Sequence, residues 1–233
     1  MKNFALRWTK AEPQNSIAWN YLGRAYRANE QGTKAIEAYQ QAVRINPDYA
    51  EAWHGLGSVY YFFTDQGTKA IEAYQQAVRV NPDFADAWHL LGQAYVGTNH
   101  QYAKAIEAYQ QVIRIKPNDG LEWYYLGQAY VGTNQYAKAI EAYQKALRIK
   151  PDGFFIAREG LGNAYRLTGQ TAKAIEEYQQ AIRIRSDVAE VWYGLGSAYK
   201  ISGQTGKMME VYKRLKTLDP TKADDFFNKV VMP

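Results

Sequence analysis

Apolar and small residues recur along this chain in two alternating helical stripes. Trp19, Leu22, Gly23 and Tyr26 fall at i, i+3, i+4 and i+7, which places them on one face of a helix. After a break at Gly32 and Thr33, Ala35, Ile36, Tyr39, Ala42 and Val43 return at the same spacing. Pro47 ends that run, because proline cannot continue a helix. The pattern predicts two short antiparallel helices joined by a tight connection. Asp48 with Glu51, and Asp187 with Glu190, have capping-box spacing, so a new first helix is expected directly behind each break.

The pair then repeats. Leu-Gly dipeptides put glycines at Gly23, Gly57, Gly92, Gly127, Gly162 and Gly196, at intervals of 34 or 35 residues. The phrase LGQAYVGTNHQYAKAIEAYQQ from Leu91 returns almost unchanged as LGQAYVGTNQYAKAIEAYQK from Leu126. A period of this size signals stacked units, none of which buries its apolar face alone. Six units are expected at 16–49, 50–84, 85–119, 120–154, 155–188 and 189–222. In the first, Gly23 and Ala35 leave room where the two helices approach, and Trp19 and Tyr39 fill the space beside them.

Trp, Leu-Gly, Tyr, Ala, aromatic, Ala and Pro, in this order and at this period, resemble the tetratricopeptide repeat family from about Ser16 to Lys222. The resemblance implies an all-α fold, a right-handed superhelical solenoid of antiparallel helix pairs whose concave wall is lined by the first helices. Pro13 stands thirty-four residues before Pro47, so residues 1–15 read as part of the second helix of a preceding unit. Phe4, Leu6 and Trp8 are then expected to leave apolar surface for self-association through the N-terminal edge. At the other end, residues 223–233 carry Phe226, Phe227, Val230 and Val231 at helical spacing, as a capping helix would.

Composition narrows the class further. With 47% hydrophobic residues among 233, the chain can bury a core. No apolar run reaches the roughly eighteen residues of a membrane span, and MKNFALRWTKAEPQN lacks the apolar centre of a signal peptide. There is no cysteine, hence no disulfide, thiolate nucleophile or cysteine-bound zinc, and the cytoplasm is the default location. A net charge of +5 raises nucleic acid as a partner. However, Arg44, Arg79, Arg114, Arg148 and Arg183 all fall in last helical turns, where the helix dipole already accounts for cations. Lys34 with Glu37, Lys69 with Glu72, and Lys104 with Glu107 read as opposite charges on solvated faces. Nucleic acid is therefore the lesser alternative.

Candidate chemistry is sparse. His54 and His89 stand three residues before repeat glycines with no recurring carboxylate beside them, and His100 falls in a connection. GQTGK at Gly203 has no preceding strand to shape a phosphate loop, and the fifth unit reads GQTAK at the same place. No catalytic residue, metal or cofactor is expected, and the reading is a non-enzymatic scaffold for a protein or peptide segment. The resemblance places the concave wall three residues before, one after and four after each repeat glycine. Those offsets hold Asn20, Arg24 and Arg27; His54, Ser58 and Tyr61; His89, Gln93 and Val96. In the later units they hold Tyr124, Gln128 and Val131; Glu159, Asn163 and Arg166; Tyr193, Ser197 and Lys200. Amides and hydroxyls suit the backbone of an extended peptide. The carboxylate clamp known from the family is missing, since Asn20 and Arg24 are followed by Gly55, then Asp86 and Leu90. The fifth unit departs from pattern: Arg158 replaces tryptophan, PDGFF adds a residue, and Ser186 stands for proline, through drift or through a change of pitch that exposes Phe154 or Phe155 to a partner. A recognition arm of a larger enzyme, such as a glycosyltransferase or kinase, and an RNA-binding helical repeat are the alternatives.

Overall fold

The computed structural model describes residues 2–232, apart from the side chain of Asn99. They form two compact units, Met1–Pro117 and Asn118–Pro233. In the first, α1 (Lys2–Ala11) precedes three helix pairs: α2 (Ser16–Ala28) with α3 (Gly32–Ile45), α4 (Ala50–Phe63) with α5 (Gly67–Val80), and α6 (Ala85–Asn99) with α7 (Tyr102–Ile115). The second has α8 (Gly120–Gly132) with α9 (Tyr136–Ile149), α10 (Phe155–Leu167) with α11 (Thr171–Ile184), and α12 (Ala189–Ile201) with α13 (Thr205–Leu218). It closes with α14 (Pro220–Phe226) and a π-helical turn, Phe227–Val231. Among the described residues there is no strand.

Within each unit every helix packs on the next, and the second helix of a pair also touches the first helix of the following pair. Small residues permit this. Ala35, Ala42, Ala70 and Ala77 are fully buried and let the helix axes approach. The second-helix tyrosine then presses its ring flat against the repeat glycine. A Cβ on Gly57 would stand 2.8 Å from Tyr74 Cδ1, and one on Gly162 would stand 2.9 Å from Tyr178 Cε1. The same ring reaches the following first helix: a Cβ on Gly55 would meet Tyr39 Cε1 at 2.5 Å, and one on Gly194 would meet Tyr178 at 2.6 Å. One aromatic ring thus fastens three helices.

Two polar contacts set the spacing of successive pairs. The framework tryptophan donates its indole N–H to a carbonyl six residues earlier: Trp19 to Pro13 (2.9 Å), Trp53 to Pro47 (2.8 Å) and Trp88 to Pro82 (2.9 Å). Trp192 does the same to Ser186 at 2.9 Å, so the loss of proline there leaves the contact intact. A glutamine on the second helix donates to the tyrosine hydroxyl of the next first helix, as in Gln75 to Tyr95 (2.8 Å), Gln144 to Tyr165 (2.9 Å) and Gln179 to Tyr199 (2.9 Å).

The structure corrects several local expectations. Neither Asp48 nor Asp187 caps a helix; the residues at those starts, Tyr49 and Val188, make no side-chain cap, and Asn46 closes the preceding turn by accepting from Asp48 N–H. Lys34, Lys69 and Lys104 place their ammonium groups 5.5–5.9 Å from the ring centroids of Tyr26, Tyr60 and Tyr95, so their register is set by cation–π contact. The irregular fifth pair exposes no phenylalanine for a partner. Phe154 is 5% exposed against Tyr124, and Phe155 is half-buried under the Arg185 guanidinium. Arg158, in place of tryptophan, pairs with Glu177 at 2.9 Å. His100 is exposed, at a left-handed φ of 51°.

At the first end, α1 stacks on α2 as a second helix would, with Ala5 buried. At the last, the closing helix begins at Pro220, with Asp219 as its N-cap. Phe226 is fully buried against Gly196 and Val211. Phe227 lies 5.2 Å from Tyr212, and Val230 and Val231 pack on the same core.

A glycine-to-alanine pair tests the packing. Alanine normally favours a helix over glycine, yet Gly57→Ala must displace a buried tyrosine ring and is expected to cost about 1–3 kcal/mol. Gly206→Ala, where a new methyl meets nothing within 4 Å, is expected to stabilise by up to about 1 kcal/mol. Urea melts of the two variants should therefore move in opposite directions.

Candidate functional site

The first helices present the expected offsets on one face, and the structure gathers some of these residues into two pockets, one in each unit. Asn20, Arg24, Arg27 and His54 line a pocket of ≈ 370 Å³, together with Tyr39, Tyr49, Glu51, Gly55 and Phe84. Asn163, Arg166, Tyr193 and Ser197 line one of ≈ 530 Å³, with Glu190 and Gly194 and with Asp219, Thr221, Lys222 and Asp225 from α14 and its cap. Sequence reasoning missed Tyr49, Glu51, Phe84 and Glu190 because it followed only the helix interiors. It missed the α14 residues because it assigned that helix a purely covering role.

In the first unit Asn20 is buried and donates its amide to the Tyr49 hydroxyl at 3.0 Å. Arg24 is exposed, 5.5 Å from the Tyr21 centroid. His54 lies between Tyr74 and Phe84, with ring centroids 6.0 and 5.0 Å away. Burial holds its pKa below the usual histidine value, Arg27 adds to this, and Asp86 and Glu51 oppose it. Ser58 does not line the groove. It is 1% exposed, donates to the His54 carbonyl at 2.9 Å and meets the Tyr74 hydroxyl at 3.4 Å, so it belongs to the wall behind. Tyr61 donates to the Gln93 carbonyl at 3.3 Å and ties two first helices together. His89, with its ring edge-on to Tyr109, and Gln93 and Val96 are half-buried and line neither pocket.

In the second unit Tyr124 is half-buried against Tyr143 and Phe154, and burial pushes its pKa up to about 12. Gln128 is exposed and donates to the Tyr124 hydroxyl at 2.6 Å, while Val131 is half-buried. Glu159 is half-buried; burial first, then the charge of Glu190, raises its pKa, against the pull of Lys222. Asn163 Oδ1 accepts the hydroxyl of the fully buried Tyr178 at 2.7 Å. Tyr193 donates to Asp225 at 3.1 Å, and Ser197 donates to the Tyr193 carbonyl at 2.9 Å. Lys200 is exposed and lines neither pocket.

The second-helix arginines are exposed and engaged locally, Arg79 with Gln76 at 2.9 Å and Arg114 with Asp83 at 2.8 Å. Among the described residues no three potential metal ligands converge. Within each unit the pocket offers amide, guanidinium and hydroxyl groups beside aromatic faces.

Helix pairs of 34–35 residues, fastened by a tyrosine between glycines and presenting variable first-helix side chains, define a helical-repeat interaction protein. The chain belongs to the tetratricopeptide repeat family: the model for the TPR domain of cytochrome c-type biogenesis protein H matches residues 3–119, and tetratricopeptide repeat models match 120–152, 162–203 and 189–231. Over 51 residues the chain is 45% identical to tetratricopeptide repeat protein 37 of Xenopus laevis, a stretch that is 22% of this chain and 3% of that protein. MamA superposes with a TM-score of 0.67 at 29% identity, over 71% of this chain and 95% of MamA. YrrB, described as a TPR protein with an unusual peptide-binding site, superposes with a TM-score of 0.73 at 19% identity, over 80% of this chain and 95% of YrrB.

Two measurements test the wall. Asn163→Ala removes the acceptor of the buried Tyr178 hydroxyl, which keeps Arg166 as a partner, and is expected to cost about 1 kcal/mol, so this groove residue also carries stability. Adding Tyr178→Phe should return most of that loss in a double-mutant cycle. For Glu159, a raised pKa means that folding disfavours the ionised form, so stability falls as pH rises through the carboxyl's folded value. Glu159→Gln is expected to raise Tm at pH 7, and the gain should vanish below the ordinary glutamate value of 4.5.

Proposed function

We propose that this chain is a non-enzymatic interaction module that holds an extended segment of a partner protein along its first helices. The observation that carries the reading is the contrast between offsets. The repeat glycines, buried alanines and second-helix tyrosines are spent on packing, while among the varying offsets Asn20, Arg24, Arg27 and His54 line one pocket and Asn163, Arg166, Tyr193 and Ser197 the other. Asn163 and Gln128 donate amides toward a ligand backbone, and Tyr193 and His54 add contact area at small entropic cost. YrrB, which shares the fold, is described as having a peptide-binding site. A cytoplasmic setting belongs to this reading, and no described helix is long and apolar enough to cross a membrane. Self-association through the N-terminal edge is part of it too. Phe4 is 65% exposed, its ring tilted against Trp8, which is tilted in turn against Tyr21, whereas Leu6 is packed inward. Service as the recognition arm of a larger enzyme is compatible with the same surface.

A peptide selected from a displayed random library against the intact chain supplies the test. Arg27→Gln together with Gln128→Ala is expected to weaken it roughly tenfold, at about 0.5–1.5 kcal/mol per lost hydrogen bond. Replacing Arg44, Arg79 and Arg114 by alanine should leave affinity unchanged. The opposite outcome, with affinity falling steeply as salt rises, would move the working surface to the second helices and favour RNA.

A further inference from the structure

The two pockets are one arrangement used twice. Arg27 and Arg166, Tyr39 and Tyr178, Glu51 and Glu190, and Gly55 and Gly194 are each separated by 139 residues. In both places the arginine lies four residues after a repeat glycine, and the tyrosine of the same pair runs its ring under a glycine of the next first helix. That glycine leaves a notch, and the glutamate sits in the first turn of the same helix. The combination is absent from the junctions between. Tyr61 stands where arginine would, followed by Leu90 in the notch; Val131 takes the same place before Gly160.

The charges in both notches point to one ligand chemistry. Arg27, with Arg24 beside it, faces the single carboxylate of Glu51, and among the described residues neither arginine is in an ion pair. In the other pocket all three carboxylates are engaged. Glu190 binds Lys222, Asp225 binds Lys229 and accepts from Tyr193, and Asp219 caps α14. Among the described residues Arg166 is in no ion pair; its side chain hydrogen-bonds the Tyr178 hydroxyl, and its Nε is buried with no hydrogen-bond partner. Each notch therefore presents a guanidinium that the protein does not neutralise, with a tyrosine ring as floor. A nearby glutamate repels a dianion about twice as strongly as a monoanion, which favours a singly charged carboxylate over a phosphate.

We propose that the chain carries two equivalent subsites for the side-chain carboxylate of an extended peptide, one per unit, and so binds two acidic segments per chain. The inference rests on the peptide-holding reading above and adds its ligand chemistry and its stoichiometry. Two acidic segments linked on one partner would then gain avidity over either alone.

The probe is N-acetyl-glutamate N-methylamide, a carboxylate side chain between two peptide groups, titrated into the 15N-labelled full chain. The amide signals of Gly55 and Gly194 are both expected to shift, each with a saturable midpoint, as the arginine and tyrosine floor common to the two notches require. Arg27→Gln should silence the first response and spare the second, and Arg166→Gln should do the reverse. Arg27→Lys and Arg166→Lys, which keep the charge but lose the forked geometry, should weaken each by several-fold and guard against misfolded variants. The glutamine analogue should shift neither signal, and N-acetyl-glycine, a free chain terminus, should bind no better than the glutamate probe. A response at one notch only, equal response to the glutamine analogue, or indifference to both arginine substitutions would overturn the proposal. If the library-selected peptide still maps to the first helices in those cases, the peptide-holding function stands and only the paired acidic subsites fall.

Discussion

Everything in this molecule hangs on an aromatic ring laid against a bare backbone. Tyr74 and Tyr178 press onto Gly57 and Gly162 at distances no side chain would allow, and buried alanines flank them. The contact combines the burial of a large ring, worth a few kcal/mol, with an approach between helices that only glycine and alanine permit. Because the ring also touches the following first helix, the contact that builds a pair is the one that stacks it. That contact explains why glycine recurs at this place in the first five pairs while the exposed positions drift; in the sixth, Phe226 supplies the ring against Gly196.

The helical pairs were legible because their determinants are local and periodic. The stripes, the Leu-Gly spacing and the proline stops each act within one or two turns, and helix boundaries followed from them. What connects successive pairs was not legible. The bond from Gln75 to Tyr95 spans twenty residues, and the bond from Trp53 to Pro47 uses a carbonyl, which leaves no mark in residue identity. Ser186 shows the consequence: it looked like a defect, yet its carbonyl serves Trp192 as a proline's would. Capping boxes failed for the converse reason, since the spacing of Asp48 and Glu51 was right but the chain turns before the aspartate can face the helix N-terminus.

The candidate site divides along the same line. Offsets from the repeat glycine found Asn20, Arg27, His54, Asn163, Arg166 and Tyr193, because a helix carries its facing residues at fixed intervals. They also returned Ser58, which is buried against the Tyr74 hydroxyl, and Lys200, which lines neither pocket. Residues contributed by neighbouring elements, such as Phe84 and Lys222, have no periodic signature relative to the helix they face. Only folding reveals them.

The closing helix makes stability and recognition inseparable at the end of the second unit. α14 is seven residues long and is held by Phe226, by Tyr193 to Asp225 and by Lys222 to Glu190, and it supplies a wall of the larger pocket. A helix this short opens and recloses more easily than the core beneath it. The wall of the pocket is complete only while α14 is docked, so a ligand in the pocket would hold the helix down, and a change that loosened the helix would be felt as weaker occupancy. α14 is therefore a latch whose tension a ligand would share.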